Sequence, residues 1–413
     1  MSVSTGLPEY RCPECGRSFP ITGPVYRCQD CDYPLEVPVE AGSVAVLQFT
    51  HHGERGVWRY RQMLPVRDDG SIVSLDEGGT PLLEAAHLGK ELGLNHLYLK
   101  DETRNPTGTF KDRGTSVGVS FAVERKFIGV GCVSTGNMAI SVAAYAAKAR
   151  KKALVLVPAT TPPGKLVPVL SYGTVVVVMD RPYPEIFKTG FEIGRELGYL
   201  WLHSDSPLRV EGQKTCAYEL WEQLHRAVPD KVLVPTSSGG NISAIWKGWR
   251  ELEAMGLIGR LPQMAAVQAE GCSPIVKAFQ SGKNDVEAVS EVLTGAHSIS
   301  NPDPPSGSRA LKLLRESDGI AEAVTDREML EAQSALARKE GVLVEMASAA
   351  SVAVLAKLVR KGYISREDAV VCVVTGTGLK DMESVAKGNR EPLRFSSWTE
   401  CRRALKRISG GTA

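Results

Sequence analysis

Hydrophobic residues in this chain fall into short unbroken runs separated by longer stretches of helical period. After Leu97-Tyr98-Leu99, the run at 129–134 precedes a helical stretch at 137–150, that at 153–159 precedes 163–172, and that at 174–180 precedes 183–197. The rhythm resumes with runs at 199–203, 231–235, 264–268 and 369–375, near helical stretches such as 211–224. Strands without polar alternation are covered on both faces, and strands that alternate with helices are joined by crossovers. The pattern therefore predicts βαβ units around parallel sheets, in two α/β domains with a cleft between them. Residues Glu77-Gly78-Gly79-Thr80-Pro81-Leu82 read as a loop of fixed backbone path. The tail from Arg390 reads as a short basic helix with a frayed Gly-Gly-Thr-Ala end.

Composition narrows the class. The 413 residues, 43% hydrophobic and 23% charged, suffice for two or three domains and a large core. A net charge of +2 gives no electrostatic case for nucleic acid or anionic membrane, so small discrete partners are expected. No apolar run reaches bilayer-spanning length, and the first residues lack a basic region followed by an apolar core, so a cytoplasmic protein is expected.

Nine cysteines form two populations. Cys12, Cys15, Cys28 and Cys31 make two CxxC knuckles twelve residues apart, with Gly16 permitting a tight turn after the first. Such pairs can converge four thiolates on one ion, which points to structural zinc, with an iron site or a metal-free remnant as alternatives. Residues 1–40 carry three basic against six acidic side chains, which argues against a nucleic-acid ribbon. Cys132, Cys216, Cys272, Cys372 and Cys401 are scattered and read as structural thiols.

Candidate chemistry lies where strands run into helices, the place where open α/β sheets bind ligands. In Asn105-Pro106-Thr107-Gly108-Thr109-Phe110-Lys111-Asp112-Arg113-Gly114, a lysine behind Phe110 opens a helix. Partial desolvation there would lower its pKa and make it a Schiff-base nucleophile; an ordinary solvated lysine is the alternative. Ser134-Thr135-Gly136-Asn137 offers an amide, or merely an N-cap. Thr236-Ser237-Ser238-Gly239-Gly240-Asn241 can aim several backbone N–H groups at one anion, although it is neither a P-loop nor a dinucleotide fingerprint. Thr375, in Val374-Thr375-Gly376-Thr377-Gly378, presents a hydroxyl at a strand end. A reactive lysine, phosphate cradle, amide and hydroxyl are the parts that a pyridoxal phosphate site needs.

On these stretches the chain resembles the threonine synthase group of fold-type II pyridoxal-phosphate enzymes. The likeness runs from the cysteine ribbon to about residue 388, through EGGTPL from Glu77, NPTGTFKDRG from Asn105, STGN from Ser134, RVEGQKT from Arg209, QAEG from Gln268, EMASAASVA from Glu345 and TGTGLKD from Thr375. The resemblance implies two open twisted α/β domains behind a small zinc-ribbon module. The division that goes with it is 1–36 for the ribbon, 37–100 with 205–390 for a large cofactor-binding domain, 101–204 for a small domain and 391–413 for a tail. It implies that Lys111 carries the cofactor, with Phe110 beside the ring and Asn137 at its ring hydroxyl. Ser237, Ser238, Gly239, Gly240 and Asn241 would hold its phosphate, and Thr375 would face its pyridine nitrogen. Ser204 and Arg209 would clamp the substrate's phosphate, with Thr135 near its carboxylate and Met138 and His203 completing the substrate site. The implied activity converts O-phosphohomoserine and water into threonine and phosphate, in a homodimer.

The chain departs from the group's usual residues at Met138, His203 and Ser238, and has Glu345-Met346 where Glu-Pro is usual. Those changes leave a runner-up, a related synthase acting on phosphoserine and sulfite to give cysteate. A threonine or serine dehydratase and a non-catalytic scaffold are further alternatives, the first leaving the phosphate clamp without purpose.

Overall fold

The computed structural model describes residues 9–21, 25–38, 55–387 and 392–410. The first residues, read above for a leader, and the last three of the tail lie outside them. A hairpin pairs β1 (Glu9–Arg11) with β2 (Ser18–Pro20). The chain then lays down β3 (Leu82–Glu84) and β4 (His96–Asp101) and crosses to β5 (Gly129–Val133), β6 (Lys152–Pro158), β7 (Val175–Met179) and β8 (Tyr199–Trp201). It returns for β9 (Lys231–Pro235), β10 (Gln263–Ala269), β11 (Ile320–Val324) and β12 (Ala369–Val374). Two open sheets result, ordered β11-β10-β9-β12-β4-β3 and β7-β6-β5-β8. All their pairings are parallel except β3 with β4.

The valine-rich strands β5 and β12 are buried along almost their whole length, as two-sided coverage requires. Packed against the sheets or following them in the chain are α1 (Ala86–Leu92), α2 (Lys111–Glu124), α3 (Asn137–Lys148), α4 (Pro163–Ser171), α5 (Tyr183–Glu196), α6 (Pro207–Gln223) and α7 (Gly240–Ala254). The tail forms a helix at Trp398–Gly410. No helix among the described residues is long and apolar enough to cross a membrane.

Two edge strands depart from the sequence reading. The segment from Glu77, expected to be only a loop, ends in β3, three residues antiparallel to β4. Strand β11 carries Glu322 in its centre, which breaks the apolar run. An edge strand needs pairing on one side only, so its sequence signal is weak.

Helices α2 and α6 cross at close range. A Cβ on Gly212 would lie 2.0 Å from the carbonyl oxygen of Arg113, and one on Gly114 would lie 2.7 Å from that of Arg209. Only glycine permits this approach, and it brings the start of α6 against the start of α2. The crossing covers a buried ion network. Arg113 makes fork contacts with Glu102 (2.6 and 2.7 Å) and with Glu219 (2.7 and 2.7 Å). Lys100 Nζ donates to Glu219 and to the Thr80 carbonyl, both at 2.7 Å, and Gly79 N–H donates to Glu219 at 2.7 Å. The EGGTPL and NPTGTFKDRG stretches are thus tied together beneath the helix that starts at Lys111.

Candidate active site

Lys111 is the first residue of α2, and the preceding loop is fastened on both sides. Asp112 accepts from Thr107 N–H, Thr107 Oγ1 and Ser141 Oγ, each at 2.6 Å, which joins the loop to α3. Phe110 N–H donates to the Thr375 carbonyl at 3.0 Å, and Thr377 N–H to that of Gly108 at 2.9 Å. Lys111 Nζ sits 4.4 Å from the Phe110 ring centroid. Desolvation, reinforced by the positive charge of Arg209, brings its pKa down to about 7, against the opposing pull of Glu345. A lysine that is largely neutral just above pH 7 is a competent nucleophile and base.

Around it stand three groups from distant parts of the chain. Asn137, first residue of α3, donates through Nδ2 to both carboxylate oxygens of Glu345 at 3.0 and 3.1 Å. Ser298 Oγ adds a third bond to Glu345 at 3.1 Å, and burial pushes the Glu345 carboxyl up. Thr375 Oγ1 lies 2.8 Å from Ser348 Oγ, a neutral hydroxyl pair whose Ser348 oxygen also accepts from Gly376 N–H at 2.7 Å. The sequence marks Glu345 only as a departure beside Met346 and gives no role to it or to Ser348, although both lie in the EMASAASVA stretch. Their usable signal was a lone carboxylate opening an otherwise small and apolar segment.

The anion cradle lies at the start of α7. Gly239 has φ +87°, and a Cβ there would come 2.5 Å from the Ser306 carbonyl. No side chain caps this fifteen-residue helix, so its first N–H groups are left for a ligand, and buried Asn241 Nδ2 has no partner among the described residues. Ser238 Oγ accepts from Asn301 Nδ2 at 2.8 Å, which brings an asparagine to the position where Ser238 departs from the usual residue. A shaped backbone cradle, an orphaned amide and a desolvated lysine fit a phosphorylated aldehyde cofactor.

Next to the cradle lies a second anion-ready group. A Cβ on Gly240 would meet the Ser204 carbonyl at 2.6 Å, so the segment bearing Ser204 packs directly on the cradle. Arg209 is 3% exposed; Nη1 donates to the His203 carbonyl at 2.7 Å and Nε is unpartnered. Burial brings its pKa down to about 10, which leaves it cationic at neutral pH. The His203 imidazole stacks on Phe187 at 4.0 Å with both nitrogens unpartnered, and desolvation lowers its pKa to about 3, so it is a neutral aromatic wedge. Met138 is buried in the core around β5 and β6, and Thr135 is half-buried in the turn before α3. The backbone carbonyl of His203, more than its ring, is the atom that meets Arg209.

Cys12, Cys15, Cys28 and Cys31 converge, their sulfurs all within 4.8 Å of one another. Cys12 and Cys31 are 3.4 Å apart, and Cys15 and Cys28 are 3.6 Å apart. Sulfurs at a zinc bond length of about 2.3 Å would be separated by about 3.8 Å on a tetrahedron, so four thiols at these spacings suit such an ion.

A family model described as pyridoxal-phosphate dependent enzyme matches residues 73–376. The chain is 43% identical over 403 residues to a threonine synthase of Methanocaldococcus jannaschii, covering 96% of this chain and 98% of that protein. It is 41% identical over 384 residues to a threonine synthase of Methanosarcina acetivorans, covering 92% and 94%. Among solved structures it resembles threonine deaminase isoform 2 from Solanum lycopersicum, with a TM-score of 0.66 at 20% identity over 81% of this chain and 92% of that one. That likeness shows the fold.

Proposed function

The chain belongs to the pyridoxal-phosphate-dependent enzymes and, within them, to the threonine synthases, and on that premise we propose that it converts O-phospho-L-homoserine and water into L-threonine and phosphate. The observation that carries this reading is the juxtaposition of two anion sites. One is the α7 cradle, where the Ser204 carbonyl packs on Gly240; the other is buried Arg209, bonded to the carbonyl of His203, the residue before Ser204. A cofactor phosphate needs only the first. The second suits a substrate that brings its own phosphate.

In this reading Lys111 would carry the cofactor, residues Ser237 to Asn241 would hold its phosphate, and Phe110, Asn137 and the Thr375 hydroxyl would hold its ring, its ring hydroxyl and its pyridine nitrogen in turn. Pyridoxal phosphate, when bound, draws electron density from the substrate's Cα and Cβ. Arg209 and Ser204 fix the substrate's phosphate, and Thr135 orients its carboxylate. Lys111 Nζ takes the proton from Cα and then one from Cβ. The Cγ–O bond to phosphate breaks with its electron pair leaving on the phosphate, Cγ is protonated to a methyl group, water delivers hydroxide to Cβ and its other proton to the released phosphate, and Cα is reprotonated, so the two protons taken by Lys111 are returned at Cγ and Cα. The four ribbon thiols, kept reduced in a cytoplasmic setting, would hold one structural zinc ion; family likeness suggests a homodimer.

Purified protein offered O-phosphohomoserine should release threonine and phosphate in equal amounts. Phosphoserine turning over only with sulfite, while phosphohomoserine stays inert, would overturn the reading in favour of cysteate synthesis. Arg209→Gln should raise KM for phosphohomoserine by about 10- to 100-fold, the worth of a charge-assisted contact to phosphate.

The lysine's titration gives an independent check. Only the neutral amine attacks an aldehyde, and with a pKa lowered to about 7 the neutral form builds up as pH rises through that value. Uptake of pyridoxal phosphate by cofactor-free protein, followed by absorbance, should therefore accelerate with a midpoint at about pH 7 and level off roughly one unit above it. A midpoint near 10 would mean that the amine is solvated as in a free lysine.

A further inference from the structure

We infer that the cysteine ribbon is a strut for the substrate clamp, with Tyr26 and Arg27 as positioning residues that hold the segment around Arg209 ready for a phosphate. This rests on the anion-binding role proposed for Arg209. Nothing in the chemistry above uses the ribbon, yet its second knuckle lies against the clamp. Tyr26 and Arg27 immediately precede Cys28. The Tyr26 hydroxyl donates to the Trp201 carbonyl, and its ring packs edge-on against Phe191 at 5.4 Å. Phe191 in turn stacks on His203 with centroids 5.4 Å apart.

Arg27 spans the gap from knuckle to body. Its Nε donates to Asp32 Oδ1 at 2.8 Å, one residue beyond Cys31. Its Nη1 lies 3.6 Å from Asp205 Oδ2 and donates to the Pro305 carbonyl at 2.7 Å. Residue 205 follows Ser204 in the clamp. Pro305 precedes Ser306, whose N–H donates to the Ser238 carbonyl in the cradle at 2.9 Å. One side chain thus links a cysteine knuckle to both anion sites.

The segment needs such a support. Strand β8 is an edge, paired only with β5, and beyond Trp201 the chain leaves the sheet. Past that point Leu202 N–H still reaches the Gly131 carbonyl at 2.8 Å, and the carbonyl of His203, one residue further on, carries Arg209. The ribbon itself is anchored independently, because Arg309 Nη2 donates to the carbonyls of Pro34 and Leu35 at 2.7 and 2.8 Å. A four-cysteine knuckle that keeps its shape would therefore hold Tyr26 and Arg27 at a fixed height above the clamp. Without that shape, the buried guanidinium loses its aim rather than its charge.

The test uses holoenzyme and inorganic phosphate as the probe. Tyr26→Phe and Arg27→Gln should each weaken phosphate binding by about fivefold to tenfold, roughly one hydrogen bond's worth, while cofactor absorbance and metal content stay at wild-type values. KM for phosphohomoserine should rise by a similar factor with kcat little changed, and Arg27→Lys should restore part of the affinity. In the double variant with Arg209→Gln, Arg27→Gln should add nothing further, because both act through one guanidinium. Wild-type phosphate affinity in Tyr26→Phe and Arg27→Gln, or loss of cofactor together with phosphate, would overturn the strut while leaving Arg209's role intact. Unchanged phosphate binding in Arg209→Gln alone would instead remove the proposed clamp, and the strut with it.

Discussion

Lys111→Ala should lower turnover of phosphohomoserine by at least about 10³-fold, since one substitution removes the group proposed both as the nucleophile that holds the cofactor and as the base that moves the Cα and Cβ protons. The absorbance of lysine-bound cofactor should vanish with it. Stability should hold or improve: the ammonium is desolvated, and Lys111 forms no ion pair among the described residues, so its removal relieves a burial cost. This combination separates a chemical role from a structural one. More than about a tenth of wild-type activity, or a surviving lysine-dependent band, would show that another group does the work.

Arg113→Met should be the most destabilising single change near the site, at about 3–5 kcal/mol. The substitution keeps most of the side-chain volume and strands Glu102 and Glu219, both almost wholly buried, with only Lys100 left to pair with Glu219. In the intact network Arg113 and Lys100 hold the Glu219 carboxyl down to about 2, and Glu102 is also depressed. A depressed carboxylate adds stability that is fully present above its unfolded pKa and is lost as pH falls toward the folded value. The penalty of Arg113→Met should therefore be largest at neutral pH and shrink in acid, where the stranded carboxylates take up protons. Denaturant unfolding at pH 7 and pH 4, followed through tryptophan emission, measures both quantities. A cost below about 1 kcal/mol at pH 7, or one that grows in acid, would rule out the network as a foundation of the site. The exposed pair Lys283–Glu287 is the natural control, since breaking it should cost no more than about 0.5 kcal/mol.

Much of the architecture was readable in one dimension. The runs expected at 231–235 and 153–159 are β9 and β6 to within a residue at each end, and the helix expected at 137–150 is α3. Burial on both faces writes an unbroken apolar run into the sequence, and that signal survives without any tertiary information. Lys111 was legible for a similar reason, because a glycine-rich loop opening a helix is a local arrangement. Edge strands were less so. Helix Asp326–Ala335 has a weaker apolar period, and its local signal is the capping box of Thr325 and Glu328. Of the departures noted at Met138, His203 and Ser238, none reads the same in three dimensions. Met138 fills a core, His203 offers its carbonyl to Arg209, and Ser238 is joined by Asn301.

The sequence by itself determined the strand and helix rhythm, the lysine at a helix start, the glycine cradle and the four converging thiols, because periodicity and short spacing are properties of neighbouring residues. Only the tertiary structure decided which charges answer one another. Arg113 finds Glu219 106 residues away, Tyr26 finds Trp201 175 residues away, and Asn137 finds Glu345 208 residues away. A buried polar group must have a partner, but nothing local says which one, and the choice is made by the two sheets and the glycine crossing of α2 with α6. That is why Lys111, Arg209 and the cysteine ribbon could be found on the chain, while the pairing of Asn137 with Glu345 and of Arg27 with Asp205 could be found only in the fold.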